Sequence, residues 1–192
     1  MSTDEELIEE IKNGSQAAME VLVKRHYKYI FAYVYRKLGD YHLAYDLTQD
    51  IFIKMMKSIH HYKGEGKFEH WLLKIAVNHC RDYFRSRSYK EKEEQNTLSE
   101  QIKDEKENVW DLISKKLESE KVKTAVHKLP EYQKEAIILK FYKGLKIKEI
   151  AHLTDSKEAT VKSRLKQGIE KLKIALKGGD NNGVEQKENR SR

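Results

Sequence analysis

The chain has only one proline, Pro130, one cysteine, Cys80, and nine glycines among its 192 residues. A lone cysteine cannot form an internal disulfide, which suits a protein of a reducing compartment. Because proline and glycine disfavour helix interiors, their scarcity in a chain with 36% charged residues favours an all-helical protein. No apolar run reaches the length of a membrane span, and the first residues are acidic, unlike those of a secretory signal. We therefore expect a cytoplasmic protein.

The charge of the chain is unevenly distributed. The formal net charge is +7, and the positive excess lies toward the C-terminus, as expected for a segment that meets phosphates. A solvated Lys/Glu-rich surface would give the same excess. Residues 88–107 are almost all polar or charged, so they cannot bury enough apolar surface to offset the entropy of ordering. We predict an all-α fold with two small helical domains, at 1–87 and 108–178, a polar linker at 88–107 and a disordered tail at 179–192.

Helical periodicity defines the elements of the N-terminal domain. A short helix from Thr3 is followed by an aromatic-rich helix that begins after Ser15 and ends at Leu38. The third helix starts at Tyr41, and its core face contains Leu47, Ile51, Met55 and Ile59. The fourth helix runs from Phe68 to about Arg87, and its predicted core face contains Phe68, Leu72, Ile75, His79 and Tyr83.

The C-terminal domain contains a predicted helix-turn-helix. Apolar residues recur at Val109, Leu112, Ile113 and Leu117. A helix that follows Pro130 and carries Ile137, Ile138 and Phe141 comes next. The motif itself consists of a short helix over Ile147–Leu153, a tight turn, and a basic helix from about Lys157. The spacing of Asp155 and Glu158 predicts a capping box before the basic helix.

The basic helix has an apolar side that is expected to pack and a polar, basic side that is expected to face a ligand. Val161, Leu165, Ile169, Leu172 and Leu176 share one face, and the opposite face carries Lys162, Ser163, Lys166 and Gln167 as candidates for base edges. Arg164 and Lys171 are placed to neutralise phosphates. Similar helix pairs occur in ordinary bundles, so this pattern alone leaves DNA binding and plain packing equally open.

One face of the fourth helix combines an aromatic ring, an amide and three cations. Steps of three and four residues bring these side chains together: Trp71, Lys74, Asn78, Arg81 and Arg85. An unstacked nucleic-acid strand needs a stacking surface, an edge-reading amide and phosphate partners. The alternative is a half-buried tryptophan on an ordinary basic surface.

The third helix carries an acidic strip at Asp46, Gln49 and Asp50. No histidine or third carboxylate accompanies the strip at ligand spacing, so a basic protein partner is a better interpretation than a metal or catalytic site. A merely solvated face is the alternative. His60, His61, His70 and His79 lie near Cys80 without a zinc-ligand pattern. No phosphate loop or catalytic triad is present, so we predict no metal, no cofactor and no enzymatic activity.

These segments together resemble the bacterial sigma factors of the extracytoplasmic-function type. The matching motifs are Asp46-Leu47-x-Gln49-Asp50-x-Phe52, Phe68-x-x-Trp71-Leu72-x-x-Ile75-Ala76-x-Asn78-x-x-x-Asp82-x-x-Arg85, Leu129-Pro130, Ile150-Ala151 and Thr160-Val161-Lys162-Ser163-Arg164-Leu165. The resemblance implies an alternative sigma factor that binds RNA polymerase core and directs promoter recognition, melting and initiation for a stress or envelope-response regulon. It also implies an anti-sigma factor as inhibitory partner, which would hold the protein at the membrane.

The resemblance assigns three surfaces. The clamp of the largest polymerase subunit would be met by Asp46, Gln49, Asp50 and Phe52. The melted minus-ten strand would be held by His61, Lys63, Lys67, Trp71, Lys74, Asn78, Arg81 and Arg85. The minus-thirty-five duplex would be read by Thr160, Lys162, Ser163, Arg164, Lys166, Gln167 and Lys171.

The chain departs from the family pattern at three points. Tyr45 stands where an acidic residue is usual, Ala159 replaces a glycine, and Gln167-Gly168-Ile169 replaces a basic run. Two other classes remain open from the residues alone. A free-standing regulator would dimerise and bind palindromic operators without polymerase. An interaction module with no nucleic-acid role would show no salt-dependent DNA affinity.

Overall fold

The computed structural model describes residues 2–64, 66–86 and 120–177, and these residues form α-helices without any strand. The described residues fall into two compact units: the first contains the four N-terminal helices together with Ala151–Ser156, and the second contains most of the remaining helices. None of the helices in the described ranges is long and apolar enough to span a membrane. The helices are α1 (Asp4–Lys12), α2 (Gln16–Leu38), α3 (Tyr41–Ser58), α4 (Phe68–Arg85), α5 (Glu120–His127), α6 (Glu131–Ile137), α7 (Ile147–Leu153) and α8 (Glu158–Lys177).

Local hydrogen bonds determine where the first three helices begin and end. Thr3 and Glu6 form a reciprocal capping box at the start of α1. The side chains of Ser15 and Asp40 each accept a hydrogen bond from a backbone N–H in the first turn of α2 and α3. Gly39 ends α2 with φ of +80°, a conformation that costs glycine little. The predicted boundaries of α2 are confirmed.

Three aromatic side chains of α2 form a stack beside α3. The rings of Tyr27, Phe31 and Tyr35 are stacked at one-turn intervals, with centroids 6.1 and 6.0 Å apart. Phe52 of α3 stacks on Tyr27 with a centroid distance of 5.9 Å. Packing against α3 therefore explains part of the aromatic composition of α2. The predicted α3 core face is confirmed, since all four of its members are buried: Leu47, Ile51, Met55 and Ile59.

The buried face of α4 differs from the predicted one. Phe68 and Leu72 are buried as expected, but Ile75, His79 and Tyr83 are only half-buried. The helix packs against both α2 and α3, so its contact surface is wider than a single stripe and is centred on other residues. The remaining buried positions are Leu73, Ala76, Val77 and Cys80. The helix ends at Arg85, and residue 87 lies outside the described ranges.

The second unit differs from the sequence expectation in two places. A five-residue π-helical turn, Ile138–Tyr142, continues α6. The expected α-helix therefore changes its helical phase at this wider turn, and Phe141 on it is 61% exposed. The predicted bounds of α7 are confirmed. The expected capping box is wrong, because Asp155 has φ of +46° whereas an N-cap residue has an extended backbone.

Several predictions fall on parts of the chain outside the described residues. These are the polar linker at 88–107, the tail at 179–192 and the apolar periodicity at Val109, Leu112, Ile113 and Leu117. The domain bounds 1–87 and 108–178 stay predictions. Pro130 immediately precedes α6 as its N-cap, one residue outside the first turn where it was expected.

Candidate functional surfaces

The acidic strip of α3 faces solvent. Asp46, Gln49 and Asp50 are all exposed, and Tyr45 beside them is 45% exposed. Phe52 has a different environment, since only 5% of it is accessible and its ring stacks on Tyr27. The strip is thus an exposed polar surface supported by a buried aromatic ring, and Phe52 itself is not placed to touch a partner.

A histidine links the acidic strip to α4. The Nδ1 atom of His79 lies 2.8 Å from Nζ of Lys54, which donates the hydrogen bond, and Nε2 lies 3.6 Å from a carboxylate oxygen of Asp50. Burial and the Lys54 charge lower the pKa of His79 below its ordinary value of 6.5, and the Asp50 charge opposes this shift. The neutral imidazole therefore accepts from Lys54 and joins α3 to α4, while its Nε2 makes no hydrogen bond within the described residues. Sequence spacing did not identify this contact, because it joins residues on different helices.

The polar face of α4 is partly packed. Asn78 and Arg85 are exposed, whereas Lys74 and Arg81 are intermediate in exposure. Trp71 is also intermediate, with its ring centroid 5.2 Å from that of Tyr62 and 5.5 Å from that of Phe68. Both sequence interpretations of Trp71 keep support, because one part of the indole packs and the rest is accessible.

The loop before α4 is fixed by Tyr62. Only 5% of this residue is exposed. Its hydroxyl donates to the Gly66 carbonyl at 2.7 Å, and its carbonyl accepts from Nζ of Lys12 at 3.1 Å. Gly66 has φ of +85°, which suits a residue without a Cβ atom. The loop thereby presents its exposed side chains beside the start of α4; these are His61, Lys63 and Lys67.

The basic helix α8 has the predicted two sides. Val161 and Leu165 are buried, whereas Ile169, Leu172 and Leu176 are only half-buried. Arg164 is intermediate in exposure, and its guanidinium lies 4.7 Å from the ring centroid of Tyr132 on α6. Such cation–π stacking orients the planar group toward the rim of the helix. The other predicted DNA-facing residues are exposed: Thr160, Lys162, Ser163, Lys166, Gln167 and Lys171.

Two of the candidate base-reading residues are hydrogen-bonded to each other. Nε2 of Gln167 donates to Oγ of Ser163 at 3.2 Å, and Nε2 of Gln133 donates to Oε1 of Gln167 at 2.8 Å. Gly168 makes the approach of α6 possible, because a Cβ atom there would lie 3.1 Å from Cγ1 of Ile137. Sequence analysis missed Gln133, which shares no helix with the residues it contacts.

An ion pair within α6 lies near a histidine of α5. Nζ of the buried Lys134 lies 2.8 Å from a carboxylate oxygen of Glu131. Burial, followed by the charge of Lys134, lowers the pKa of His127 below 6.5. Among the described residues, no group of three or more His, Cys, Asp or Glu side chains is placed to hold a metal ion.

The chain is similar to proteins of one family along most of its length. The model for sigma-70 region 2 matches residues 22–89, and the model for sigma-70 region 4 matches residues 119–172. The ECF RNA polymerase sigma-E factor of Haemophilus influenzae is 30% identical over 171 residues, which cover 85% of this chain and 89% of that protein. The ECF RNA polymerase sigma factor SigW of Bacillus subtilis is 29% identical over 177 residues, with coverages of 88% and 95%.

Two solved structures share the fold. The sigma factor RpoE, in its complex with the anti-sigma factor NepR from Bartonella quintana, matches with a TM-score of 0.65 at 21% identity. That match covers 82% of this chain and 96% of the RpoE chain. CnrH, in complex with the cytosolic domain of CnrY, matches with a TM-score of 0.62 at 22% identity and covers 90% and 96% of the two chains.

Proposed function

This chain belongs to the extracytoplasmic-function family of RNA polymerase sigma factors, and we propose how its surfaces divide the work of initiation. Members of this family are specificity factors for transcription initiation and are not enzymes. In the proposal, the first unit binds polymerase core and the melted minus-ten strand, while α8 binds the minus-thirty-five duplex. The main support is the order of the two family matches along a chain in which α3, α4 and α8 each expose a polar face.

We assign polymerase binding to the exposed strip of Asp46, Gln49 and Asp50. Two carboxylates and an amide form a surface complementary to a basic partner, here the clamp of the largest subunit. Phe52 contributes from below by holding α3 on Tyr27. Tyr45 replaces an acidic residue in the family pattern and adds an exposed ring to this surface.

We assign strand capture to the outer face of α4 and the loop before it. The accessible part of Trp71 offers a stacking surface, the Asn78 amide reads a base edge, and Arg85 neutralises phosphate. The remaining members of the surface supply further positive charge or polar contacts: His61, Lys63, Lys67, Lys74 and Arg81.

We assign duplex recognition to α8. A helix inserted in the major groove contacts base edges with its outward residues and phosphates with its flanks. Lys162, Ser163, Lys166 and Gln167 are exposed and would face base edges, and Thr160, Arg164 and Lys171 would contact phosphates. Affinity for the duplex should decrease steeply with salt, because cations released from DNA accompany each phosphate contact.

Transcription with purified core polymerase tests the proposal. Core plus this protein should initiate at promoters that core alone ignores. Asp46→Lys combined with Asp50→Lys should abolish co-purification with core, whereas Asn78→Ala should keep core binding and reduce promoter opening. Glu10→Lys, paired with Glu9→Lys on the exposed face of α1, is the control that makes the same charge change elsewhere.

The outcomes separate this function from the other classes. Failure of the wild-type chain to bind core at micromolar concentration would refute the assignment of the α3 strip. A dimer that binds palindromic duplex tightly without polymerase would favour a free-standing regulator. A chain without any salt-dependent DNA affinity would favour an interaction module.

We further propose that the protein acts in the cytoplasm, serves a stress or envelope-response regulon, and is held inactive by an anti-sigma factor. The support is that the fold-related proteins RpoE and CnrH were each solved with a protein partner, NepR and the cytosolic domain of CnrY. Affinity-tagged wild-type protein should capture a stable partner from unstressed cells, and the captured partner should block initiation by core plus this protein. Recovery of that partner in the membrane fraction would support retention there, and capture of polymerase alone would refute the inhibitor.

A further inference from the structure

The exposed face of α8 contains a chain of three hydrogen-bonded side chains whose inner end is buried on α6. Gln133 is only 9% exposed and donates through Nε2 to Oε1 of Gln167 at 2.8 Å. Gln167 in turn donates through Nε2 to Oγ of Ser163 at 3.2 Å. Both atoms of the Gln167 amide are therefore engaged, which fixes the orientation of the amide and leaves it one N–H and one carbonyl lone pair for other contacts.

The hydrogen bonds from Gln133 through Gln167 to Ser163 all run in one donor-to-acceptor direction, and Gln133 determines that direction. Oε1 of Gln133 is buried and has no hydrogen-bond partner among the described residues. The reverse orientation of this amide would bury its two N–H donors at that point, and unpaired buried donors are rarer in proteins than unpaired carbonyl oxygens. Gln133 therefore presents N–H to Gln167, which turns the nitrogen of Gln167 toward Ser163.

The row of hydrogen bonds ends at the exposed hydroxyl of Ser163. Oγ of Ser163 accepts from Gln167, and its side chain makes no other hydrogen bond within the described chain. Its proton and one lone pair remain for a ligand, and because the proton has no acceptor among the described residues, Ser163 is presented mainly as a donor. The close packing at Gly168, where a Cβ atom would lie 3.1 Å from Ile137, keeps α6 near enough for Gln133 to reach Gln167.

We propose that Gln133, which need not touch DNA, is a specificity-determining residue that acts through Gln167 to make Ser163 a hydrogen-bond donor toward the minus-thirty-five element. This inference rests on the proposed placement of α8 in the major groove. A donor pairs with a base that shows only acceptors there, which is guanine through O6 and N7 or thymine through O4. The base that faces Ser163 should therefore be guanine or thymine in preference to cytosine, which offers only a donor, and to adenine, which offers its N7 acceptor beside the N6 donor.

Gln133→Glu reverses the chain with almost no change in side-chain shape. An ionised carboxylate only accepts, so at a pH that keeps residue 133 ionised in its buried position the Gln167 amide must turn its nitrogen toward residue 133 and its oxygen toward Ser163. The Ser163 proton is then consumed by Gln167, and its lone pairs face the groove. The preferred base at that position should change to one that offers a donor, cytosine through N4 or adenine through N6.

The experiment uses polymerase core with the full-length protein on promoters randomised across the minus-thirty-five element, with transcript yield read by sequencing. Ser163→Ala identifies the base position that faces Ser163, because the base preference at that one position of the element should disappear in this variant. At that position the wild type should favour guanine or thymine by about threefold to tenfold, as expected for one hydrogen bond. Gln133→Glu should invert the preference, and Gln133→Met, which has no amide and similar length, should only abolish it.

The controls distinguish positioning from loss of structure or a change in charge. Gln133→Glu in the Ser163→Ala background should no longer alter base preference, since the last member of the chain is missing. Thr124→Glu, at an exposed position of α5, adds the same charge and should leave the preference unchanged.

Each outcome decides the proposal. If Gln133→Glu fails to fold, the loss of preference in Gln133→Met still tests it. A wild type that initiates normally while both variants keep the wild-type preference would overturn the role of Gln133 and leave the function of the protein intact. A wild type that initiates nowhere would overturn the function, and this inference with it.

Discussion

Lys54 on α3 donates a hydrogen bond to Nδ1 of His79 on α4, with 2.8 Å between the two nitrogen atoms. This contact requires the neutral imidazole, because a protonated ring has no acceptor at Nδ1. It therefore makes this junction between α3 and α4 sensitive to pH, and it joins the proposed polymerase-binding helix to the proposed strand-binding helix.

His79 should make the protein less stable in mild acid. Its pKa is lowered in the folded state, so the unfolded chain binds the proton more readily as pH falls through the ordinary value of 6.5. Stability is then lost until the pH falls below the folded-state pKa. His79→Gln should lose less stability between pH 7.5 and 5.5 than the wild type, as measured by urea unfolding at each pH.

His127 provides a second test of the same effect, since its pKa is lowered as well. His127→Gln should reduce the same pH dependence independently, and the double variant should reduce it further. A wild-type stability that stays constant from pH 7.5 to 5.5 would contradict the prediction.

Phe52 should act through packing. Its ring is buried and stacks on Tyr27, so Phe52→Ala should lower the free energy of unfolding by about 3–5 kcal/mol. Phe52→Leu keeps most of the apolar volume and should cost less. At a temperature where Phe52→Leu remains folded, its affinity for polymerase core, measured by titration, should stay within about twofold of the wild type, because a buried ring makes no contact with the partner. A twofold change corresponds to a loss of less than RT in binding free energy. A tenfold loss of affinity in this folded variant would show direct contact instead.

Tyr62→Phe should impair strand capture without impairing polymerase binding. The change removes the hydrogen bond from the Tyr62 hydroxyl to the Gly66 carbonyl, which should cost about 0.5–1.5 kcal/mol and release the loop that carries Lys63 and Lys67. Promoter opening, followed with a fluorescent base in the minus-ten strand, should decrease.

The control for Tyr62→Phe is core binding, which uses another helix and should stay unchanged. A parallel Lys63→Gln variant should lower opening by loss of charge and should do so less at high salt. Equal opening by Tyr62→Phe and the wild type would refute a positioning role for this loop.

Gly168→Ala should destabilise the second unit despite the higher helix propensity of alanine. The gain in propensity is at most about 1 kcal/mol, whereas inserting a methyl group into a packed contact costs about 1–3 kcal/mol. The added Cβ would meet Ile137 at 3.1 Å, so we expect a net loss of about 1 kcal/mol in thermal or chemical unfolding.

Ala159→Gly is the matched change on the same helix. Ala159 is exposed, so this substitution should follow propensity and cost about 0.5–1 kcal/mol. Stabilisation by Gly168→Ala would mean that α6 gives way easily, and it would weaken the proposed approach of Gln133 to Gln167.

Short-range pattern determined most of the helices and their ends. Thr3, Ser15, Gly39 and Asp40 act within one turn of the helix they bound, and for Ser15 and Gly39 that made the boundary predictable. The four-residue spacing from Leu47 to Ile59 identified a core face because α3 packs along that stripe. The family motifs named the same three helices that expose polar surfaces.

Tertiary structure alone decided which residues of different helices meet. Periodicity gives the direction of a side chain around the axis of its helix. It does not tell how many other helices surround that helix or how closely they approach it. Hence the buried residues of α4 extend beyond a single stripe. For the same reason Phe141 is exposed on a π-helical turn, and Phe52 lies beneath the surface it was expected to form. The contacts of Lys54 with His79 and of Gln133 with Gln167 exist because packed helices bring side chains within 3 Å across 25 and 34 positions of sequence.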